Sequence, residues 1–66
     1  MRVRINGEEK DIEDKMTLGE LLSVLNIKLQ GVAVEVNREI VPKRNLSATP
    51  LKEGDSVEIV RMVGGG

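Results

Sequence analysis

The fold is decided by residues 17–25, Thr17-Leu18-Gly19-Glu20-Leu21-Leu22-Ser23-Val24-Leu25. Thr17 and Glu20 form a capping-box pattern, in which each side chain accepts a hydrogen bond from the other residue's backbone N–H. This pattern predicts the start of a helix. One apolar stripe follows at helical spacing, formed by Leu18, Leu21, Leu22 and Leu25. Because so short a helix is not stable in isolation, it has to lie on a sheet.

Alternation of apolar and polar residues predicts strands on both sides of this helix. The first strand, at residues 1–5, turns at Asn6-Gly7, a strong hairpin signal, into a highly charged strand at about residues 8–12. Such charge is typical of a sheet edge protected against pairing with other chains. After the helix, residues 32–36 and 39–41 form a second hairpin around Asn37-Arg38. Residues 56–61 form the last strand, with Val57 and Ile59 directed inward.

The order of these elements predicts an α+β fold of the β-grasp type, a mixed sheet of about five strands with one main helix packed on one face. The first and last strands lie side by side and parallel in the middle, and the charged second strand lies at an edge. Residues 43–51 form an irregular connection, with one helical turn at most and a single apolar anchor at Leu46. We expect one β-grasp domain over residues 1–62.

The composition excludes several classes of function. The 66 residues include no Cys and no His, which removes the usual nucleophiles, general bases and zinc ligands. We therefore expect no catalytic site, metal or bound cofactor in the chain itself. A net charge of −1 without any aromatic residue does not fit a nucleic-acid surface. No apolar run approaches the roughly 20 residues of a membrane span, so we expect a cytoplasmic protein that binds neither nucleic acid nor membrane.

The last four residues are Val63-Gly64-Gly65-Gly66. Glycine loses the most backbone entropy on ordering, so we expect residues 63–66 to form a flexible tail that can be threaded into a narrow channel. The reactive group is then the carboxylate of Gly66, and Gly65 and Gly64 are the threading segment. A partner has to activate this carboxylate with ATP, because the chain has no phosphate-binding loop of its own. A frayed end or an expression scar would also explain the glycines.

Several motifs lie upstream of these glycines: Val36-Asn37, Ile40-Val41-Pro42, Leu51, Gly54-Asp55 and Val57-Glu58-Ile59-Val60. With residues 63–66 they resemble the bacterial sulfur carriers of thiamin biosynthesis, the ThiS family of ubiquitin-like β-grasp proteins. The resemblance implies that Gly66 is adenylylated by an E1-like adenylyltransferase (ThiF type) and converted to a thiocarboxylate. The sulfur comes from a donor such as a cysteine desulfurase system and is delivered to thiazole synthase (ThiG type).

The resemblance and the strand pattern together indicate one docking surface. We interpret Val60 and Met62 as an exposed apolar pair beside the tail, flanked by Glu58 and Arg61, that docks the activating enzyme. Three alternatives keep the fold and change the role. They are the small subunit of molybdopterin synthase (MoaD-like), which uses the same carrier chemistry, a ubiquitin-like protein modifier, and a noncovalent β-grasp adaptor whose glycines are incidental.

Overall fold

A computed structural model describes residues 1–62, and the predicted tail at residues 63–66 lies outside the described residues. The described chain forms five strands, one α-helix and one 3₁₀ helix. In chain order they are β1 (Arg2–Ile5), β2 (Glu8–Asp11), α1 (Leu18–Val24), β3 (Val32–Val36), β4 (Glu39–Ile40), the 3₁₀ helix (Lys43–Ala48) and β5 (Ser56–Arg61). Within residues 1–62 no helix is both long enough and apolar enough to cross a bilayer.

The five strands form one mixed sheet in the order β2-β1-β5-β3-β4. β1 and β5 are parallel neighbours at the centre, while β2, β3 and β4 each run antiparallel to the strands beside them. This arrangement confirms the predicted β-grasp topology. The charged strand β2 lies at an edge, as predicted, and two of its carboxylates form exposed ion pairs with Arg2 and Arg4 of β1.

Both hairpins turn through two residues in the left-handed conformation. The β1–β2 loop contains Asn6 (φ 48°) and Gly7 (φ 86°), and the β3–β4 loop contains Asn37 (φ 51°) and Arg38 (φ 72°). Two-residue loops of this kind match the right-handed twist of the flanking strands, which is why Asn and Gly favour them. The predicted turns are therefore confirmed at both positions.

The ends of α1 are fixed by hydrogen bonds within its own sequence. At the start, the Thr17 hydroxyl accepts from the Glu20 N–H (3.1 Å) and the Glu20 carboxylate accepts from the Thr17 N–H (2.9 Å), so the capping box is confirmed. At the end, Asn26 adopts φ 61°. The N–H groups of Asn26 and Ile27 donate to the carbonyls of Ser23 and Leu22, both at 3.0 Å, which is the Schellman pattern.

An aliphatic core joins the inner face of the sheet to α1 and the 3₁₀ helix. Its buried members are Val3, Ile5, Leu18, Leu21, Leu22, Val32, Val34, Leu46, Leu51 and Val57. Leu46 is the predicted anchor of the connection before β5, which forms a 3₁₀ helix of six residues where one turn at most was expected. Gly19 permits the close approach of this segment to α1, since an added Cβ would lie only 3.1 Å from the Ser47 hydroxyl oxygen.

The capping box gives a stability prediction. Thr17→Ala removes the hydroxyl that accepts from the Glu20 N–H, and we expect it to lower the free energy of unfolding by about 1 kcal/mol. Ser23→Ala is the matched control, because Ser23 is exposed on the same helix and its side chain caps nothing. Urea unfolding measures both. Equal stability of the two variants would contradict the assignment.

Candidate functional site

The strand that precedes the tail is held by hydrogen bonds along both edges. On one side, β1 pairs with the first half of β5 through Arg4 with Ser56 and Ile5 with Val57. Where β1 turns away, the side chain of Asn6 takes its place. Its Oδ1 accepts from the Ile59 N–H at 2.8 Å and its Nδ2 donates to the Ile59 carbonyl at 3.4 Å. On the other side, β3 pairs with β5 from Val57 to Arg61.

The side chain of Asn37 forms similar hydrogen bonds at the start of β5. Its Oδ1 accepts from the Ser56 N–H at 3.0 Å, and its Nδ2 donates to the Asp55 carboxylate at 3.0 Å. The Asn37 backbone N–H also donates to the Ser56 carbonyl at 2.8 Å. Each hairpin turn thus contributes an asparagine whose side chain is hydrogen-bonded to β5. The position of β5 in the sheet is therefore fixed by these side chains as well as by strand pairing.

The sheet side opposite α1 is not covered by any other described element, and we call it the outer face. Strand register places its residues in rows. One row contains Ile40, Glu35 and Glu58, and the next contains Ala33 and Val60. Met62 follows Val60 on the same face by alternation. Val60 is 45% exposed and Met62 61%, so this surface exposes an apolar pair at the end of β5 nearest residue 63, while exposed Ile40 lies on the edge strand β4.

Two carboxylates lie directly opposite each other on the outer face. Glu35 and Glu58 are register partners on β3 and β5, a position where like charges repel. Among residues 1–62, no Lys or Arg is within ion-pair distance of either one. In the opposite half of the sheet two carboxylates are neutralised, because Arg2 forms ion pairs with Asp11 and Glu9. The hydrogen bond to Asp11 is the main cause of a raised pKa of Arg2. The outer face near the tail is therefore apolar with an unneutralised acidic pair.

The structure brings together three of the four predicted docking residues. Glu58, Val60 and Met62 share the outer face. Arg61 does not join them, because it pairs with the buried Val32 and lines a depression on the helix side of the sheet. The predicted carrier residues Gly64, Gly65 and Gly66 lie outside the described part of the chain.

Sequence reasoning missed three members of the outer face, namely Ala33, Glu35 and Ile40. The alternation in β3 already indicated that Ala33 and Glu35 lie on the face opposite the buried valines. The alternation does not show which residues of β5 lie opposite them, because only the register between β3 and β5 sets Glu35 opposite Glu58. Ile40 belongs to a strand of two residues, which is too short to show any alternation.

The described residues include no group of three His, Cys, Asp or Glu side chains placed to hold a metal ion. The outer face has carboxylates, aliphatic groups and backbone, and these can bind a protein surface.

Comparison with known proteins identifies close relatives. A model of the ThiS family matches residues 3–66. A sulfur carrier protein ThiS from Thermus thermophilus is 41% identical over 64 residues, covering 97% of this chain and 98% of that protein. A thiazole synthase from Paramagnetospirillum magneticum is 44% identical over 66 residues, which is 100% of this chain and only 20% of that protein's length.

The fold has a close counterpart among solved structures. The crystal structure of the thiamine biosynthesis protein ThiS from Geobacter metallireducens superposes with a TM-score of 0.89 at 33% sequence identity. The superposition covers 100% of both chains. This sequence identity and the family match over residues 3–66 show that the similarity extends to the sequence as well as the fold. The chain belongs to the ThiS family.

Proposed function

We propose that this chain is a sulfur carrier for thiamin biosynthesis and that it carries the sulfur as a thiocarboxylate on Gly66. The observation that carries the proposal is the extent of the similarity. The family match runs through the glycines to residue 66, and the solved ThiS structure aligns with this chain over the full length of both. This extent supports the proposal that the carrier role includes the terminal segment as well as the domain that precedes it.

In the proposed reaction this chain contributes only the Gly66 carboxylate, and the partner proteins contribute ATP and the sulfur. An oxygen of the Gly66 carboxylate attacks the α-phosphorus of ATP, and pyrophosphate leaves to give an acyl adenylate. A sulfur nucleophile from the donor then attacks the carbonyl carbon and AMP leaves. When this nucleophile is a persulfide, the product is an acyl disulfide. A thiol then attacks the sulfur of the donor and breaks the S–S bond, so the donor leaves as a disulfide with that thiol and a thiocarboxylate remains, with sulfur in place of one carboxylate oxygen. The chain is thus a co-substrate, and ATP belongs to an E1-like adenylyltransferase of the ThiF type.

The next partner in the proposal is thiazole synthase of the ThiG type. Support comes from the thiazole synthase of Paramagnetospirillum magneticum, which contains a segment 44% identical to this chain within one polypeptide. A carrier fused to the protein that consumes its sulfur is a natural arrangement, since it raises the effective concentration of one for the other. A cysteine desulfurase system as sulfur source and a cytoplasmic location stay predictions from the sequence.

The outer face is the proposed docking surface for the adenylyltransferase. Four residues follow Met62, and at full extension they span about 13 Å. An enzyme that acts on Gly66 therefore has to contact the domain close to Met62. Val60 and Met62 offer exposed apolar area there, and the acidic pair Glu35 and Glu58 favours a partner with a basic side chain beside its apolar contact.

The carrier reaction gives a prediction for the intact mass. After incubation with the adenylyltransferase, ATP and a sulfur donor, we expect the chain to gain the mass difference between sulfur and oxygen. Deletion of Gly65 and Gly66 withdraws the carboxylate by about 7 Å, so the shortened chain should gain nothing. A full-length chain of unchanged mass would contradict the carrier role, and equal function of the shortened chain in cells would favour the noncovalent adaptor.

The docking surface gives a prediction for affinity. Met62→Asp introduces a charge into the apolar group beside the tail, and we expect the affinity for the adenylyltransferase to fall at least about tenfold. Val24→Asp is the matched control, because Val24 is 69% exposed on α1, on the other side of the sheet. Calorimetric titration measures both variants. An equal loss for the two, or no loss for Met62→Asp, would refute the assignment of this face.

Glu58→Gln should change stability and binding in opposite directions. It relieves the repulsion with Glu35, so the free energy of unfolding should rise by up to about 0.5 kcal/mol. It also removes a charge that attracts a basic partner, so association with the adenylyltransferase should slow, most of all at low salt. Glu13→Gln changes the net charge equally, away from the outer face, and serves as the control in stopped-flow measurements. If the two variants associate at equal rates, the acidic pair has no part in docking.

A further inference from the structure

The hydrogen-bonded ladder between β3 and β5 continues one step beyond both strands. Val32 pairs with Arg61 at the end of the ladder, so Gly31 and Met62 are the next residues opposite each other. The Met62 N–H donates to the Gly31 carbonyl at 2.7 Å, and within residues 1–62 no hydrogen bond between these two segments lies nearer to residue 63.

The conformation of Gly31 aims its carbonyl at this bond. Gly31 has φ +72°, a left-handed conformation that side chains with a Cβ rarely adopt. The turn that contains it is closed by the Val32 N–H, which donates to the Leu29 carbonyl at 3.2 Å. A Cβ at Gly31 would meet only the Met62 carbonyl oxygen at 3.9 Å, an ordinary contact. The backbone angle therefore favours glycine at this position, although there is room for a side chain.

We propose that Gly31 is a positioning residue for the carrier reaction, because its carbonyl holds Met62, which lies four residues before Gly66. This inference rests on the proposed function. With Met62 held, four residues separate a rigid domain from the reacting carboxylate. Without the Gly31 bond, Met62 leaves the ladder, and the length of chain between the nearest fixed residue and the carboxylate grows. A longer connection spreads the carboxylate over more positions, and the fraction of docked complexes in reactive geometry falls.

The Gly31 bond affects docking and the reaction step to different degrees. Its loss leaves Val60 in place on the outer face but frees Met62, so part of the docking contact is lost as well. We therefore expect KM for the carrier to rise by less than the roughly tenfold loss of affinity expected for Met62→Asp, while kcat for adenylylation at saturating carrier falls by about tenfold or more. A general loss of stability does not produce this split at a temperature where the variant is folded.

The test compares three variants of the full chain with the adenylyltransferase, ATP and inorganic pyrophosphate release as the readout. Gly31→Ala strains the left-handed backbone and turns the carbonyl away, whereas Gly31→Asn keeps this conformation more readily and should restore most of the rate. Gly54→Ala is the matched control. Gly54 has φ +87° with no atom near an added Cβ, so the strain is similar, but it lies at the opposite end of β5 from Met62.

Amide hydrogen exchange measured by NMR provides the second readout. In Gly31→Ala the Met62 N–H should exchange at least about tenfold faster than in the unsubstituted chain, and in Gly54→Ala it should be unchanged. The expected result is a kcat loss and faster Met62 exchange in Gly31→Ala alone, both reversed in Gly31→Asn. Equal kcat in Gly31→Ala and Gly54→Ala, or a kcat loss with Met62 still protected, would overturn the inference. If the unsubstituted chain is not adenylylated at all, the proposed function fails instead.

Discussion

The position of β5 between β1 and β3 is the constraint on which the rest of the structure depends. A strand at the centre of a sheet has both backbone edges hydrogen-bonded, and β5 achieves this although β1 accompanies only its first half. Asn6 supplies the missing bonds at Ile59, and Asn37 closes the beginning of the strand at Ser56. Because β5 is the last element within residues 1–62, its rigidity fixes the position of the residues that precede residue 63.

The two faces of the sheet differ in packing and in exposure. The inner face provides aliphatic side chains to a core without any aromatic residue, and α1 with the 3₁₀ helix covers it. Among residues 1–62, α1 is the only α-helix, and it packs on the inner face. The outer face is therefore left open. An open sheet face beside a reactive terminus suits a carrier, since a partner can bind the domain and take up the terminus in one approach. In the proposed function, exposed Val60 and Met62 form part of the recognition surface, which explains why no described element covers them.

Local sequence patterns were sufficient for most of the fold. The capping box located the start of α1, Asn6-Gly7 and Asn37-Arg38 located the two hairpins, and the charge of β2 placed it at an edge. Each of these signals involves residues a few positions apart. Contacts between distant residues were not predictable in this way, and the bond between Asn6 and Ile59, which are 53 positions apart, is an example.

The candidate site shows the same division. Alternation correctly grouped Glu58, Val60 and Met62, but nearness in sequence wrongly suggested that Arg61 accompanies them. Successive residues of a strand point to opposite faces, so Arg61 lies on the helix side with Val32. The opposition of Glu35 to Glu58 and of Gly31 to Met62 depends on the register of two strands about 25 residues apart, which no local pattern specifies.

In the proposed function, the sulfur travels on the carboxylate of the last glycine. Fragmentation mass spectrometry of the protein isolated from cells that are making thiamin reads both the identity of the last residue and its chemical state. We expect a chain that ends at Gly66 with one carboxylate oxygen replaced by sulfur. A chain that continues past Gly66, or sulfur attached at any other residue, would contradict the proposed function.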